Sequence, residues 1–133
     1  MAVLERADIE TFRLPGLTHQ TLANLTRGTY TMEVWRQTLA AGAVTPWHKH
    51  ACEEVMVILA GHGEYRVPGR TEPFGPDATL IVEADALHQI ANIGDEPLEL
   101  LAAMGMTPVT VLDTSGCMLE LPWDTPLPAI AID

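Results

Sequence analysis

Basic residues and aromatics are both scarce in this chain. Seven lysines and arginines stand against eighteen acidic residues, a net charge of −11. A nucleic-acid binder needs a basic face that displaces phosphate counterions, and seven scattered cations do not supply one. The same imbalance argues against docking on an anionic membrane surface, and its plain reading is solubility. Aromatics make up only 5 % of the chain, so the core has to come from Val, Leu, Ile, Ala and Met. The two cysteines, Cys52 and Cys117, are too few for a disulfide framework. No run approaches the roughly 18 consecutive apolar residues of a membrane span. The N-terminal "MAVLERADIETF" has no apolar stretch suited to a secretory signal. A cytoplasmic protein that engages neither nucleic acid nor membrane is the expectation.

What is present is a pattern of short apolar runs cut by turn residues. Hydrophobic residues are 47 % of the 133, with ten glycines and ten prolines. That content excludes disorder, suits a single domain over 1–133, and favours a β-rich fold over a helical bundle. Residues 1–17 read as irregular. "THQTLANL" and "TYTMEVWRQTL" flank "TRG" as a hairpin, and "AVTPWHKH" follows as a strand in which Pro46 suits an edge or entry position. "EEVMVILA" turns at "GHG" into "EYRV". "PGRTEPFGPD" reads as a turn-rich connection. "ATLIVE", "LHQIANI" and "PLELLAAMGM" are further strands, "VTVL-DTSG-CMLEL" reads as a hairpin, and the tail "PWDTPLPAIAID" is proline-rich. About ten short strands imply a sandwich or barrel.

The chemistry concentrates in "WHKHACEE". His48 and His50 are two residues apart, so on a strand both side chains share a face, whereas on a helix they would diverge by about 200°. Lys49 is the outward spacer. Glu54, on a straight strand, would lie roughly 13 Å beyond His50, too far to share an ion whose donor bonds are about 2 Å. Convergence therefore requires a reversal at Ala51–Cys52, with Glu54 opening the next strand and Glu53 on its opposite face. His88, at the start of a later strand, is a further candidate. His19 and His62 have no neighbours that suggest a ligand role, and His62 reads as a solvated turn residue. Met56 and Ile58 share the parity of Glu54 and so point inward.

The wider spacing carries a resemblance. From Gly42 to Gly61 the sequence reads Gly, five residues, His48-Lys-His50, three residues, Glu54, six residues, Gly, which matches the first motif of the cupin superfamily throughout. "HQIAN", His88 to Asn92, is similar to the end of the second motif. The Pro-x-Gly that usually precedes that histidine is replaced by Glu83-Ala84-Asp85, a departure that aspartate tolerates because it visits the left-handed region at modest cost. The resemblance, to small single-domain bacterial cupins, covers roughly residues 30–105. It implies an all-β, double-stranded β-helix (jelly-roll) barrel of about ten short strands, with the N-terminal strand and the proline-rich tail as extensions, commonly a homodimer. It also implies a divalent metal held by His48, His50, Glu54 and His88.

Three imidazoles and a carboxylate suit Fe or Mn, with Zn, Ni or Cu as alternatives, and four protein donors leave one or two coordination positions open. The leading expectation is a dioxygenase-type metalloenzyme acting on a small organic substrate. The alternatives are a non-redox isomerase or lyase, with Glu54 as the candidate catalytic base, and a small-ligand or metal-binding module without turnover. Trp47 is placed to close the barrel mouth or to pack at an edge. The facing of Trp35, Tyr30, Arg36 and Arg66 is not fixed by pattern, and an inward arginine would signal an anionic substrate. The N-terminal strand and the tail could cover a sheet edge or exchange with a partner.

Overall fold

Alternation of apolar residues at period two dictates the architecture of this computed structural model, which describes residues 3–124. Among the described residues there are nine strands: β1 (Phe12–Leu14), β2 (Leu17–Ala23), β3 (Glu33–Leu39), β4 (Glu54–Ala60), β5 (Gly63–Val67), β6 (Arg70–Phe74), β7 (Thr79–Val82), β8 (Gln89–Asn92) and β9 (Leu98–Met104). They form a six-stranded sheet in the order β1-β2-β3-β9-β4-β7 and a three-stranded sheet in the order β6-β5-β8. All pairings are antiparallel. One core joins the two sheets, with Trp35, Leu39, Met56, Ile58, Leu98 and Leu100 from the larger and Tyr65 and Ile90 from the smaller. The fold is the all-β cupin jelly roll.

Strand β4 shows how the site-bearing wall is made. Glu54, Met56 and Ile58 are buried, while Val55, Val57 and Leu59 are partly exposed on the outer face. Gly61 ends the strand with φ +90°, and a Cβ there would stand 2.5 Å from the carbonyl oxygen of Pro97. The motif glycine is therefore required twice, by its left-handed backbone and by the close approach of the chain entering β9.

Several segments depart from the sequence expectation. "PGRTEPFGPD" is not merely a connection: Pro68-Gly69 makes a tight turn and β6 pairs along β5, with Pro73 tolerated because β6 is an edge. Residues 1–17 contain β1, which pairs with β2, so the N-terminal strand has a place in its own sheet. Conversely, "AVTPWHKH" is no continuous strand. It makes isolated bridges at Val44, His48 and Lys49, since Pro46 interrupts its ladder. The expected hairpin over 109–121 is reduced to a turn and a bridge between Leu112 and Met118, because Leu112 also bridges Lys49. Of the tail, Pro122–Asp124 forms a short 3-10 turn, and residues 125–133 lie outside the described residues.

Replacing Gly61 by alanine should lower folding stability by about 2 kcal/mol or more. Denaturant unfolding at neutral pH checks this, and a variant as stable as the parent would contradict the steric argument.

Candidate metal centre

Two segments carry the histidines, and their backbones are tied together. His48 N–H donates to the His88 carbonyl at 3.0 Å and His88 N–H returns to the His48 carbonyl at 2.9 Å. Asp85 sits at φ 63°, the left-handed conformation expected where a glycine is usual. Its N–H donates to the His50 carbonyl at 2.7 Å. The turn before His88 is thereby pinned to the strand entry that bears His50. The chain reverses over residues 51–53 and Glu54 opens β4.

The imidazole protons are committed away from the centre. His48 Nδ1 stands 2.6 Å from the Pro46 carbonyl, His50 Nδ1 3.1 Å from that of Thr110, and His88 Nδ1 2.9 Å from that of Ala86. A carbonyl can only accept, so each Nδ1 carries a proton, and in the neutral ring Nε2 presents its lone pair to the centre. The histidine ligand atoms all lie within 4.8 Å of one another. Glu54 Oε1 lies 3.4 Å from His50 Nε2 and 3.2 Å from His88 Nε2. All three of these atoms are buried without a hydrogen-bond partner. Lone pairs packed against a carboxylate oxygen repel unless a proton or a metal ion lies between them. Donors each about 2.1 Å from a shared ion, at angles between octahedral and tetrahedral, stand roughly 3.0–3.4 Å apart. The donor set therefore suits a divalent metal.

Burial and mutual contact shift the proton affinities. Burial raises Glu54, but in the metal-free site His50 and His88, when protonated at Nε2, outweigh this by hydrogen bonding and charge and hold it at about 2. Burial, then the neighbouring His88, lowers His48 to about 4. For His50 burial opposes the proton, yet Glu54 and the Thr110 carbonyl prevail and raise it.

The donors open onto a cavity of about 250 Å³. Its wall is mostly apolar, with Met56, Ile90, Leu100, Val111 and Leu121 among the lining residues, and Gln37, Thr45 and Glu120 add polar atoms. Among the described residues no lysine or arginine lines it. Arg36 pairs with Glu99 and Arg66 with Glu64, both part-exposed. Trp35 lines the cavity and Trp47 does not, and Tyr30 is 84 % exposed. Two aromatic features escaped the sequence reading. His19 is fully buried, bonded to Thr21 and Gln37. Trp123 stacks on His19 at 3.6 Å and also lines the cavity. His19 alternates in phase with Leu17 and Thr21 on an inward face, a signal the hairpin pattern contained. Nothing local in "PWD" places Trp123.

The sequence model of the auxin-binding protein family matches residues 4–120. This chain belongs to that family. Among curated relatives, auxin-binding protein 1 of Arabidopsis thaliana is 35 % identical over 109 residues, covering 73 % of this chain and 54 % of the relative. Auxin-binding protein T85 of Nicotiana tabacum is 35 % identical over 114 residues, covering 77 % and 61 %. The chain thus spans about half to three-fifths of these relatives. The polyketide cyclase RemF of Streptomyces resistomycificus shares the fold at TM-score 0.72 and 23 % identity, over 93 % of this chain and 91 % of RemF. An oxalate decarboxylase of Lactobacillus farciminis does so at TM-score 0.74 and 21 % identity, over 81 % of this chain and 34 % of the enzyme. The match over 4–120 is wider than the 30–105 of the motif resemblance. No helix among the described residues of this auxin-binding-family cupin is long and apolar enough to cross a membrane.

Acid should weaken this cupin's metal-free fold. Burial lowers His19 to about 3, and His48 lies at about 4, against an ordinary 6.5. At these two sites the unfolded chain binds more protons than the native one below 6.5, so their contribution is full above 6.5 and is lost as pH falls through about 4 for His48 and about 3 for His19. His50, raised, works in the opposite direction. Glu54 extends the loss from its ordinary 4.5 down to about 2. In denaturant titrations between pH 7.5 and 4.5, wild-type stability should fall, and His19→Gln should fall less steeply. Equal slopes would show that His19 is not held neutral.

Proposed function

We propose that this protein holds a divalent metal through His48, His50, His88 and Glu54 and uses it to bind a small, mainly apolar organic acid in the adjoining cavity. The observation that carries this reading is the convergence of unpartnered Nε2 and carboxylate atoms on the wall of that apolar cavity. When bound, the ion would supply a Lewis-acidic anchor for a ligand carboxylate and, if Fe or Mn, redox capacity. The chain's own residues do the rest. Trp35, Trp123 and the aliphatic wall exclude water and select an apolar body, and the three carbonyl contacts set the neutral tautomer that turns each Nε2 lone pair to the centre. A volume near 250 Å³ lies below the range of drug-sized pockets, so the ligand is small. The relatives' names, auxin-binding proteins, support an aromatic carboxylic acid.

The finer reading is a dioxygenase-type reaction on that ligand. One observation favours it over isomerase or lyase chemistry. A general base is needed for the latter, and Glu54, as a proposed metal ligand, would have its lone pair committed to the ion, while Glu120 is exposed at the cavity rim. A cytoplasmic setting and a homodimer belong to the same proposal. Both cysteines are free thiols. The outer face of β4 and β7 exposes Val55, Val57, Leu59 and Ile81, an apolar surface on which two acidic copies could meet without opposing charges.

Titration calorimetry with Mn(II) and Zn(II), on protein purified without a metal-affinity tag, should give one site per chain. The site should be absent in the His48→Ala/His50→Ala double variant. Indole-3-acetate should bind the loaded protein at least tenfold more tightly than its neutral amide. A double variant with stoichiometric metal would overturn the centre, and equal binding of acid and amide would overturn the anchoring role. Oxygen uptake by the Fe(II)-loaded protein with a bound acid separates turnover from binding alone.

A further inference from the structure

Glu33, at the start of β3, is fully buried. Its two oxygens accept from neutral donors, Trp35 Nε1 at 2.5 Å and Thr107 Oγ1 at 2.9 Å. Among the described residues no ion pair involves it. A carboxylate removed from water with no cation beside it is costly unless a positive charge lies within reach. The sheet register shows where such a charge would be. Glu33 pairs with Met104 of β9, and Met104 pairs on its other side with Glu54 of β4. The two glutamates therefore stand two strands apart at one level, about 10 Å between backbones. Both belong to inward rows, with Trp35 and Leu39 on β3 and Met56 and Ile58 on β4. The nearby arginine of β3, Arg36, is turned to the outer face, where it meets Glu99.

We propose that Glu33 is the second buried negative charge of the metal centre, balancing the divalent ion without touching it and raising the site's affinity for it. This rests on the metal-binding reading above. Three neutral imidazoles and Glu54 give the donor set a formal charge of −1, and Glu33 brings the barrel interior to −2. Through a poorly polarisable core, opposite charges about 10 Å apart still attract appreciably. The bonds from Trp35 and Thr107 hold the carboxylate in place without neutralising it.

The test is titration with Mn(II) and, separately, Zn(II), of wild type, Glu33→Gln, Glu33→Asp and Thr107→Val. Glu33→Gln should raise the dissociation constant about tenfold or more, and the effect should persist at high salt, because the charge is buried. Its metal-free form should unfold at a midpoint no lower than wild type, since one of two buried like charges is removed. Glu33→Asp keeps the charge and should bind within about threefold of wild type. Thr107→Val removes a hydrogen bond but no charge and should lower stability while leaving affinity within about twofold. Glu53→Gln, at an exposed acid one residue from Glu54, serves as the screened control and should change little. A Glu33→Gln variant with wild-type affinity would overturn the proposal. So would one that is unstable without metal, which would make Glu33 an anchor of the fold, and so would equal weakening by Thr107→Val. Absence of Mn(II) and Zn(II) binding in wild type would instead overturn the metal reading itself.

Discussion

Everything at the centre depends on where three protons sit. Each imidazole of His48, His50 and His88 gives its Nδ1–H to a backbone carbonyl, which turns the Nε2 of the neutral ring to the centre and fixes the ring plane. None of these acceptors is a side chain that could be lost by substitution. Pro46 and Ala86 lie two residues before the histidines they hold, so those contacts are built by local chain geometry, whereas the Thr110 carbonyl comes from a distant loop. The reciprocal backbone bonds between His48 and His88 then bring two of the rings within 4.2 Å. A proton bound at any Nε2 competes with a metal for the same lone pair, so acid opposes loading as well as folding.

Around that constraint the barrel divides its labour by strand. Strand β4 carries Glu54 to the histidines. Strand β3 presents Glu33, Trp35, Gln37 and Leu39 inward, and through them a row of buried hydrogen bonds that orients the cavity wall. Glu33 holds the indole of Trp35, and His19 meets the amide of Gln37. His19 in turn lies under Trp123. The wall is apolar in area but its aromatic members are held from behind, Trp35 by the bond from its indole N–H to Glu33 and Trp123 by stacking on His19. A small rigid ligand loses little by entering such a site.

Much of this was legible in the sequence where spacing alone decides geometry. The HxH pair, the reversal at Ala51–Cys52, the inward parity of Met56 and Ile58 and the left-handed tolerance at Asp85 all follow from period two and local backbone preference. Turn frequency implied a sandwich or barrel, and the jelly roll came from the resemblance carried by the motif run between Gly42 and Gly61. What escaped depended on contacts far apart in sequence. Strand β6 is hidden by Pro73, which an edge position permits. The run 43–50 has strand composition, but Pro46 and its competing partners reduce it to bridges. His19 looks like a hairpin residue until the 3-10 turn at 122–124 delivers Trp123 onto it. Glu33 reads as an ordinary charged residue in a half-polar strand, and only the pairing of β3, β9 and β4 places it level with Glu54.

The chain's acidity thus acts through two kinds of physics. Most of its eighteen carboxylates face water, where screening over about 10 Å leaves them with solubility and long-range repulsion of anions. That outer field works against an acidic ligand approaching the cavity. Glu33 and Glu54 lie inside, unscreened and without an arginine or lysine partner among the described residues. There they favour a cation at the histidine cluster. The proposed acidic ligand would therefore gain attraction only at the cavity itself, where a divalent ion would neutralise the two buried carboxylates and offer its open coordination position. On the proposed reading, selectivity for a loaded centre follows: without metal, two buried carboxylates would repel a ligand acid, and with it the same acid would meet the ion directly.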